Sequence, residues 1–243
     1  RLNVLAIKSG RLDVAQRELD ELVRCAVGKV QLKAVFEHAL YTPEEKRAVL
    51  QMLRSSGVNY VKIQNMLSGH GARVEDVRFA SEILGRNVGI KIDGGIKTLA
   101  QAEELLAAGA TRLGLTATAK IAEEALKTHK RYEKETTSMD INEIIRQVTE
   151  EICSKYGAQT QTPAASDGYT PADMAKYIDH TYLKPEASVN EIRKICDEAK
   201  KYHCASVCVN PSYIQYVAQQ LEGSGVTPCC VIRLPVRHQH PRG

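Results

Sequence analysis

Short apolar runs of strand length alternate with amphipathic stretches of helix length along most of the chain, and this alternation restricts the fold more than any other feature. Residues 2–7, 31–36, 59–63, 88–92, 111–115, 177–178, 205–209 and 228–232 read as strands. Helical patterns lie between them over 14–27, 74–84, 99–108, 121–128, 188–202 and 211–221. Another helix opens at Thr42-Pro43-Glu44-Glu45, with an N-cap, a proline at the first position and an acidic first turn, and stops at Gly57. Strands joined by single helices predict a parallel sheet with right-handed crossovers. Five strands precede Met139 and three follow it. Eight strands fit a closed (β/α)8 TIM barrel, for which 243 residues is an ordinary length. An open doubly wound sheet has the same local rhythm, and periodicity does not separate the two.

Composition agrees with a buried sheet. Hydrophobic residues make up 43%, Trp is absent and Phe occurs twice, so the core must be built from Val, Ile, Leu and Ala, which suits parallel strands buried on both faces. A formal net charge of +4 is no nucleic-acid signature and suits a small anionic substrate as well as it suits many other proteins. The seven cysteines include no CxxC pair, so neither a zinc ribbon nor a thioredoxin-like site is indicated. No apolar run reaches membrane-spanning length and no signal peptide opens the chain, which reads as a cytoplasmic protein with reduced thiols, without nucleic-acid or membrane partners.

The character of the chain changes after residue 127. A polar, charged stretch leads to Thr136-Thr137-Ser138, and Met139 then opens an amphipathic helix over 140–155, followed by a loop-like segment rich in Thr, Pro, Ala, Ser and Gly up to Thr170. Residues 136–138 therefore read as a linker between 1–135 and 139–243, the two together forming one barrel domain. The last residues, 236–243, are basic and His-rich; His238 and His240 alternate there, and a disordered tail is the simpler reading.

Specific motifs then point to a family. Ile178-Asp179-His180-Thr181-Tyr182-Leu183-Lys184-Pro185 resembles the first-strand motif of deoxyribose-phosphate aldolases, and Ala205-Ser206-Val207-Cys208-Val209-Asn210-Pro211 resembles their second strand. Cys230-Val231-Ile232-Arg233-Leu234-Pro235 is similar to the third. In the first half, residues 2–10, 32–37 and 60–62 resemble strands four to six, Val88-Gly89-Ile90-Lys91-Ile92-Asp93-Gly94-Gly95-Ile96-Lys97-Thr98 resembles strand seven, and 112–116 resembles strand eight. The order is rotated: family order would run 139–243 and then 1–135. The resemblance therefore implies a circularly permuted barrel, read as engineered rather than natural, in which the helix between family strands three and four has no counterpart. A crossover supplied by another copy would make a domain-swapped homodimer.

The resemblance implies a class I, Schiff-base aldolase that cleaves 2-deoxyribose 5-phosphate to acetaldehyde and glyceraldehyde 3-phosphate, with no metal or organic cofactor. Lys62 would form the imine and Lys91 would perturb it; two ammonium groups at close range, further desolvated, lower one another's pKa. By strand position alone both are equally read as surface lysines. Lys33 and Asp179 match polar positions of the proton-relay network, or else form an ion pair in the barrel mouth. Cys208 matches a pocket cysteine, or is a small buried hydrophobe. Gly94 and Gly95 offer backbone N–H groups to a phosphate, or simply make a tight turn, and Thr116 stands where the family holds phosphate after strand eight.

Departures cluster at strand ends. The aspartate that precedes the strand-four asparagine of the family has no counterpart before Asn3. Gln64 follows Lys62 and Ile63, Asp93 follows Lys91 and Ile92, His38 follows Glu37, and Arg233 replaces a glycine. Asp93 is positioned to pair with Lys91 and keep it charged; His38 is a candidate new base or a polar pocket residue. Changes confined to one mouth imply a reworked pocket, so a redesigned barrel scaffold without the parent activity is the competing reading.

Overall fold

The computed structural model describes residues 1–64, 71–137 and 170–232. Seven parallel strands form one sheet in sequence order: β1 Lys33–Glu37, β2 Tyr60–Gln64, β3 Gly89–Asp93, β4 Arg112–Leu115, β5 Ile178–Thr181, β6 Ser206–Val209 and β7 Thr227–Cys230. Helices α1 Val4–Lys8, α2 Leu12–Ala26, α3 Pro43–Ser55, α4 Val74–Leu84, α5 Leu99–Ala107, α6 Thr118–Thr137, α7 Val189–Tyr202 and α8 Ile214–Leu221 accompany them. The expected helix at 140–155, the Met139 boundary, Arg233 and the His-rich tail lie outside the described residues.

The sheet is curled, and one contact shows by how much. Lys33 on β1 and Asp179 on β5 are four strand positions apart, which in a flat sheet separates them by roughly 19 Å. Their charged atoms lie 2.7 Å apart. The sheet therefore bends round until its first and fifth strands face each other across an enclosed lumen.

Two expectations are corrected. The run 2–7 is no strand: Val4–Lys8 is a short helix, because the Asn3 side chain accepts a hydrogen bond from the Ala6 N–H at 3.0 Å and caps the turn locally. Only Leu2 keeps a strand-like link, donating from its N–H to the Val35 carbonyl at 3.5 Å. Among the described residues the sheet thus has seven strands rather than eight, and β1 and β7 are open edges instead of neighbours in a closed barrel.

Period-two alternation sorts the side chains. Phe36, Val61, Ile63, Ile90, Ile92, Leu113, Ile178, Val207 and Val209 are at most 2% exposed and form the layer between sheet and helices. Each such side chain contributes about 1.5–3 kcal/mol on burial. The opposite face carries Lys33, Glu37, Lys62, Gln64, Lys91, Asp93, Asp179, Ser206 and Cys208. Both faces are buried, as the composition implied, but the inner face is polar.

His180 is the exception on the outer face. It is 2% exposed, with Nδ1 2.9 Å from the Thr118 hydroxyl and Nε2 2.8 Å from the Glu198 carboxylate. One side chain thereby ties β5 to the start of α6 and to α7.

Helix starts follow their sequence signals. Thr42 and Glu45 form a reciprocal capping box on α3, Ser188 and Glu191 another on α7, and Thr98 caps α5. α6 runs to Thr137, well past the expected end at 128. No helix among the described residues is long and apolar enough to cross a membrane. Replacing Thr42 with Ala removes the α3 box, and a loss of about 1 kcal/mol in a urea titration is the expected outcome.

Candidate active site

The residues singled out from sequence converge in the lumen. Lys62 and Lys91 are register partners on β2 and β3, so their side chains leave the sheet side by side; they are 5% and 1% exposed. Neither is a surface lysine. Asp179 is fully buried, and its Oδ2 receives hydrogen bonds from both Lys33 and Lys91 at 2.7 Å. Lys33 and Asp179 thus form the ion pair that was one of their two readings, with Lys91 as a third member.

Asp93 fills the space above. Its Oδ2 lies 2.5 Å from Lys62 Nζ, and its Oδ1 3.7 Å from Lys91 Nζ. The pairing is therefore tighter with Lys62 than with Lys91, the partner expected from sequence. Each carboxylate keeps one buried oxygen, Asp93 Oδ1 and Asp179 Oδ1, without a hydrogen-bond partner. Asp179 Oδ1 is 3.8 Å from Arg112 Nε, too long for a hydrogen bond.

Electrostatics favour the reading in which carboxylates keep Lys91 charged. Burial opposes charge at Lys91, but the carboxylates of Asp93 and Asp179 outweigh it and raise the pKa above the ordinary lysine value. Burial likewise opposes charge at Asp179, and Lys91 and Lys33 outweigh it, holding that carboxyl well below the usual carboxylate range. Mutual repulsion between two lysines does not neutralise Lys91, because carboxylates stand between the cations.

Sequence reasoning passed over three parts of this network. Arg112 and Lys33 lie over the Tyr60 ring, 5.7 and 5.1 Å from its centroid, closing the lower lumen with an aromatic plate. Gly114 on β4 leaves room for the charges: a Cβ there would stand 1.9 Å from Asp93 Oδ1 and 2.9 Å from Lys91 Cε. The signal available in the sequence was the alternation of Tyr60, Lys62 and Gln64, and of Lys91 and Asp93, each with period two.

Other candidates take varied places. Gly94 and Gly95 follow β3 with φ of 116° and 69°, a left-handed turn that glycine alone adopts without strain, and both are exposed at the strand C-terminal mouth. The Gly94 carbonyl accepts from the Ala72 N–H at 2.7 Å. Thr116 is exposed just after β4, at the same mouth. Cys208 is buried in β6 at 1% exposure. His38 turns to Asp76, 3.3 Å away, and packs edge-on to Phe36 and Phe79; burial lowers its pKa, with Asp76 acting against it. A cleft of about 630 Å³ opens at the other end, lined by Arg54, Asn59, Tyr60, Asn87 and Thr111. Of the site residues named from sequence, none lines it. Among the described residues, no three His, Cys, Asp or Glu converge as metal ligands.

No protein-family model matches the chain. The chain is 34% identical over 116 residues to a deoxyribose-phosphate aldolase of Halalkalibacterium halodurans, covering 48% of this chain and 52% of the relative. It is 37% identical over 125 residues to one from Thermoanaerobacter pseudethanolicus, covering 51% and 56%. The chain spans about half the length of the curated relatives it matches. Among solved structures, an aldolase designated QR15 has 29% identity and a TM-score of 0.49, covering 53% of this chain and 57% of that one.

Three outcomes follow from the network. Asp179→Asn leaves buried Lys91 and partly buried Lys33 short of a carboxylate, and a loss of about 3–5 kcal/mol is expected. A depressed carboxyl contributes stability that is present above its unfolded pKa of about 4 and lost as pH falls toward the folded value. Acid titration of the wild-type protein should therefore show stability falling below pH ~4, with that slope reduced in Asp179→Asn. Gly114→Ala, by displacing Asp93 and Lys91, should destabilise by about 1–3 kcal/mol in the same denaturant assay.

Proposed function

We propose that the lumen is the site of a Schiff-base aldolase resembling deoxyribose-phosphate aldolase, acting on 2-deoxyribose 5-phosphate, with Lys62 as the nucleophile. The observation that carries this reading is the buried Lys62 ammonium held 2.5 Å from the Asp93 carboxylate. An amine attacks a carbonyl only when neutral, and Asp93 is the base within reach. Lys62 gives its proton to Asp93 and attacks the substrate aldehyde carbon. Asp93 returns the proton to the carbinolamine hydroxyl, which leaves as water and gives the imine. Loss of the proton from the substrate's C3 hydroxyl breaks the C2–C3 bond, releases glyceraldehyde 3-phosphate and leaves the enamine of acetaldehyde on Lys62. Protonation at C2 and hydrolysis then free acetaldehyde. Lys91, held cationic, stabilises negative charge that develops beside it, while Asp179 positions Lys91 and Lys33.

Lys33, Lys62, Lys91 and Arg112 outnumber Asp93, Asp179 and Glu37 around this space, and that balance suits a phosphorylated substrate. Gly94, Gly95 and Thr116 stand at the mouth as its phosphate contacts, and Cys208 lines the wall. The rotated order of the motifs is read as a circular permutation, in keeping with the direct pairing of β4 with β5 through Leu113 and Ile178. A domain-swapped homodimer, in which another copy supplies the missing crossover, belongs to the same reading.

The competing reading, a redesigned scaffold without aldolase activity, draws on the full pairing of Lys91 with carboxylates. One experiment separates the two. Acetaldehyde followed by borohydride should leave a reduced adduct that mass spectrometry maps to Lys62, and Asp93→Asn should slow its formation by about 10²–10⁴-fold. A correctly folded protein with no adduct at any lysine would establish the scaffold reading instead. Cleavage of 2-deoxyribose 5-phosphate, followed separately, tests the substrate.

A further inference from the structure

Two thiols stand across a single strand pair on the wall of the lumen. Cys208 on β6 and Cys229 on β7 are register partners, so their side chains leave the sheet on the same face. Neighbouring strands are about 4.8 Å apart, inside the roughly 4.4–6.8 Å that a disulfide spans between Cα atoms. Both are free thiols. Their exposure differs. Cys208 is 1% exposed, whereas Cys229 is half-buried on β7, the last strand of the sheet among the described residues. Cys230, one residue on, points to the opposite face and cannot substitute in the pair without reversing the pleat.

We propose that Cys208 and Cys229 form a dithiol modification site, in which Cys229 is the attacking thiol and Cys208 the resolving thiol, closed to an intramolecular disulfide by a low-molecular-weight disulfide. The Cys229 thiolate attacks one sulfur of the small disulfide, whose S–S bond breaks and releases one small thiol. Cys208 then attacks the Cys229 sulfur, and its proton passes to the small thiolate that is expelled, which leaves as the second small thiol. In sum, two protein thiols are oxidised to one disulfide and the small disulfide is reduced to two thiols.

The surroundings favour that division of roles. The neighbouring Cys208 thiol lowers the Cys229 pKa against the effect of burial, Lys33 and Lys91 add to the lowering, and the thiol settles at about 7; Cys208 is pushed up by Cys229 and by burial. An attacking thiol is most effective when its pKa lies near the ambient pH. The inference rests on the strand register and on the placement of the two thiols, and it stands independently of aldolase chemistry.

Oxidised glutathione added to the whole reduced protein tests it, with products read by intact mass and by non-reducing peptide mapping. Leaving aside adducts at exposed Cys25, which serve as the internal control, the expected product has lost two hydrogens and yields one cross-linked peptide pair joining Cys208 to Cys229, reversed by dithiothreitol. Cys208→Ser should hold a persistent glutathione adduct on Cys229, and Cys229→Ser should leave Cys208 unmodified. Phenylarsine oxide, which bridges close dithiols, should be retained at the pair in the wild-type protein and lost in either variant. A lasting mixed disulfide at Cys229 in the wild-type chain, a Cys229–Cys230 cross-link, or two thiols that stay reduced while Cys25 reacts would each overturn the proposal. The wild-type measurements decide the matter even if a serine variant fails to fold.

Discussion

The carboxylate of Asp179 is the constraint on which the rest of the lumen depends. It is fully buried on β5 and takes hydrogen bonds from β1 and β3 at once, through Lys33 and Lys91. An isolated buried charge costs several kcal/mol, so these three groups are tolerable only together. Their mutual need also fixes geometry. Strands that backbone ladders alone would leave apart are drawn across a common centre, and the inward faces of β1, β3 and β5 cannot slip by one residue without stranding a charge in the apolar outer layer.

The same economy of charge shapes what the site is suited to do. A lysine that is to attack a carbonyl must lose its proton, yet Lys91 is held cationic by two carboxylates. The division of labour then follows from distance: Asp93 is close to Lys62 and further from Lys91, and Asp179 touches Lys91 and Lys33. One carboxylate is placed to exchange a proton with a neighbour, and the other to prevent its neighbours from doing so. Gly114 makes the arrangement possible by having no side chain where Asp93 and Lys91 lie.

Much of this was legible before any coordinates. The strand–helix rhythm located seven of eight strands to within a few residues, because the outer-face residues are apolar apart from His180 and the helix starts carry their caps, as at Thr42, Thr98 and Ser188. The eighth failed at 2–7, where a single Asn side chain closes a helical turn that apolar content alone does not reveal. Lys62, Lys91, Lys33 and Asp179 were singled out and the Lys33–Asp179 pair was one of the readings, but the place of Lys91 in that pair and of Asp93 at Lys62 was not legible. Which carboxylate meets which lysine depends on register and curl, and the part of Asp93 at Lys62 emerges only once β2 and β3 lie side by side. His180 escaped notice because its partners, Thr118 and Glu198, are far away in sequence and meet it on the outer face.

The open edge at β7 has a consequence for how copies of this chain can meet. Thr227 and Val231 donate their N–H groups inward, to Ala205 and Val209 on β6. Alternation then aims the backbone nitrogens of residues 228 and 230 outward, and residue 228 is a proline with no hydrogen to offer. The free rim of β7 is therefore short of a donor at its centre, a common guard against sticky sheet margins and fibrillar stacking. β1 carries no proline, and Leu2 already engages Val35 there. The two rims of one sheet are therefore guarded in different ways, one by a missing donor and the other by an acceptor already in use.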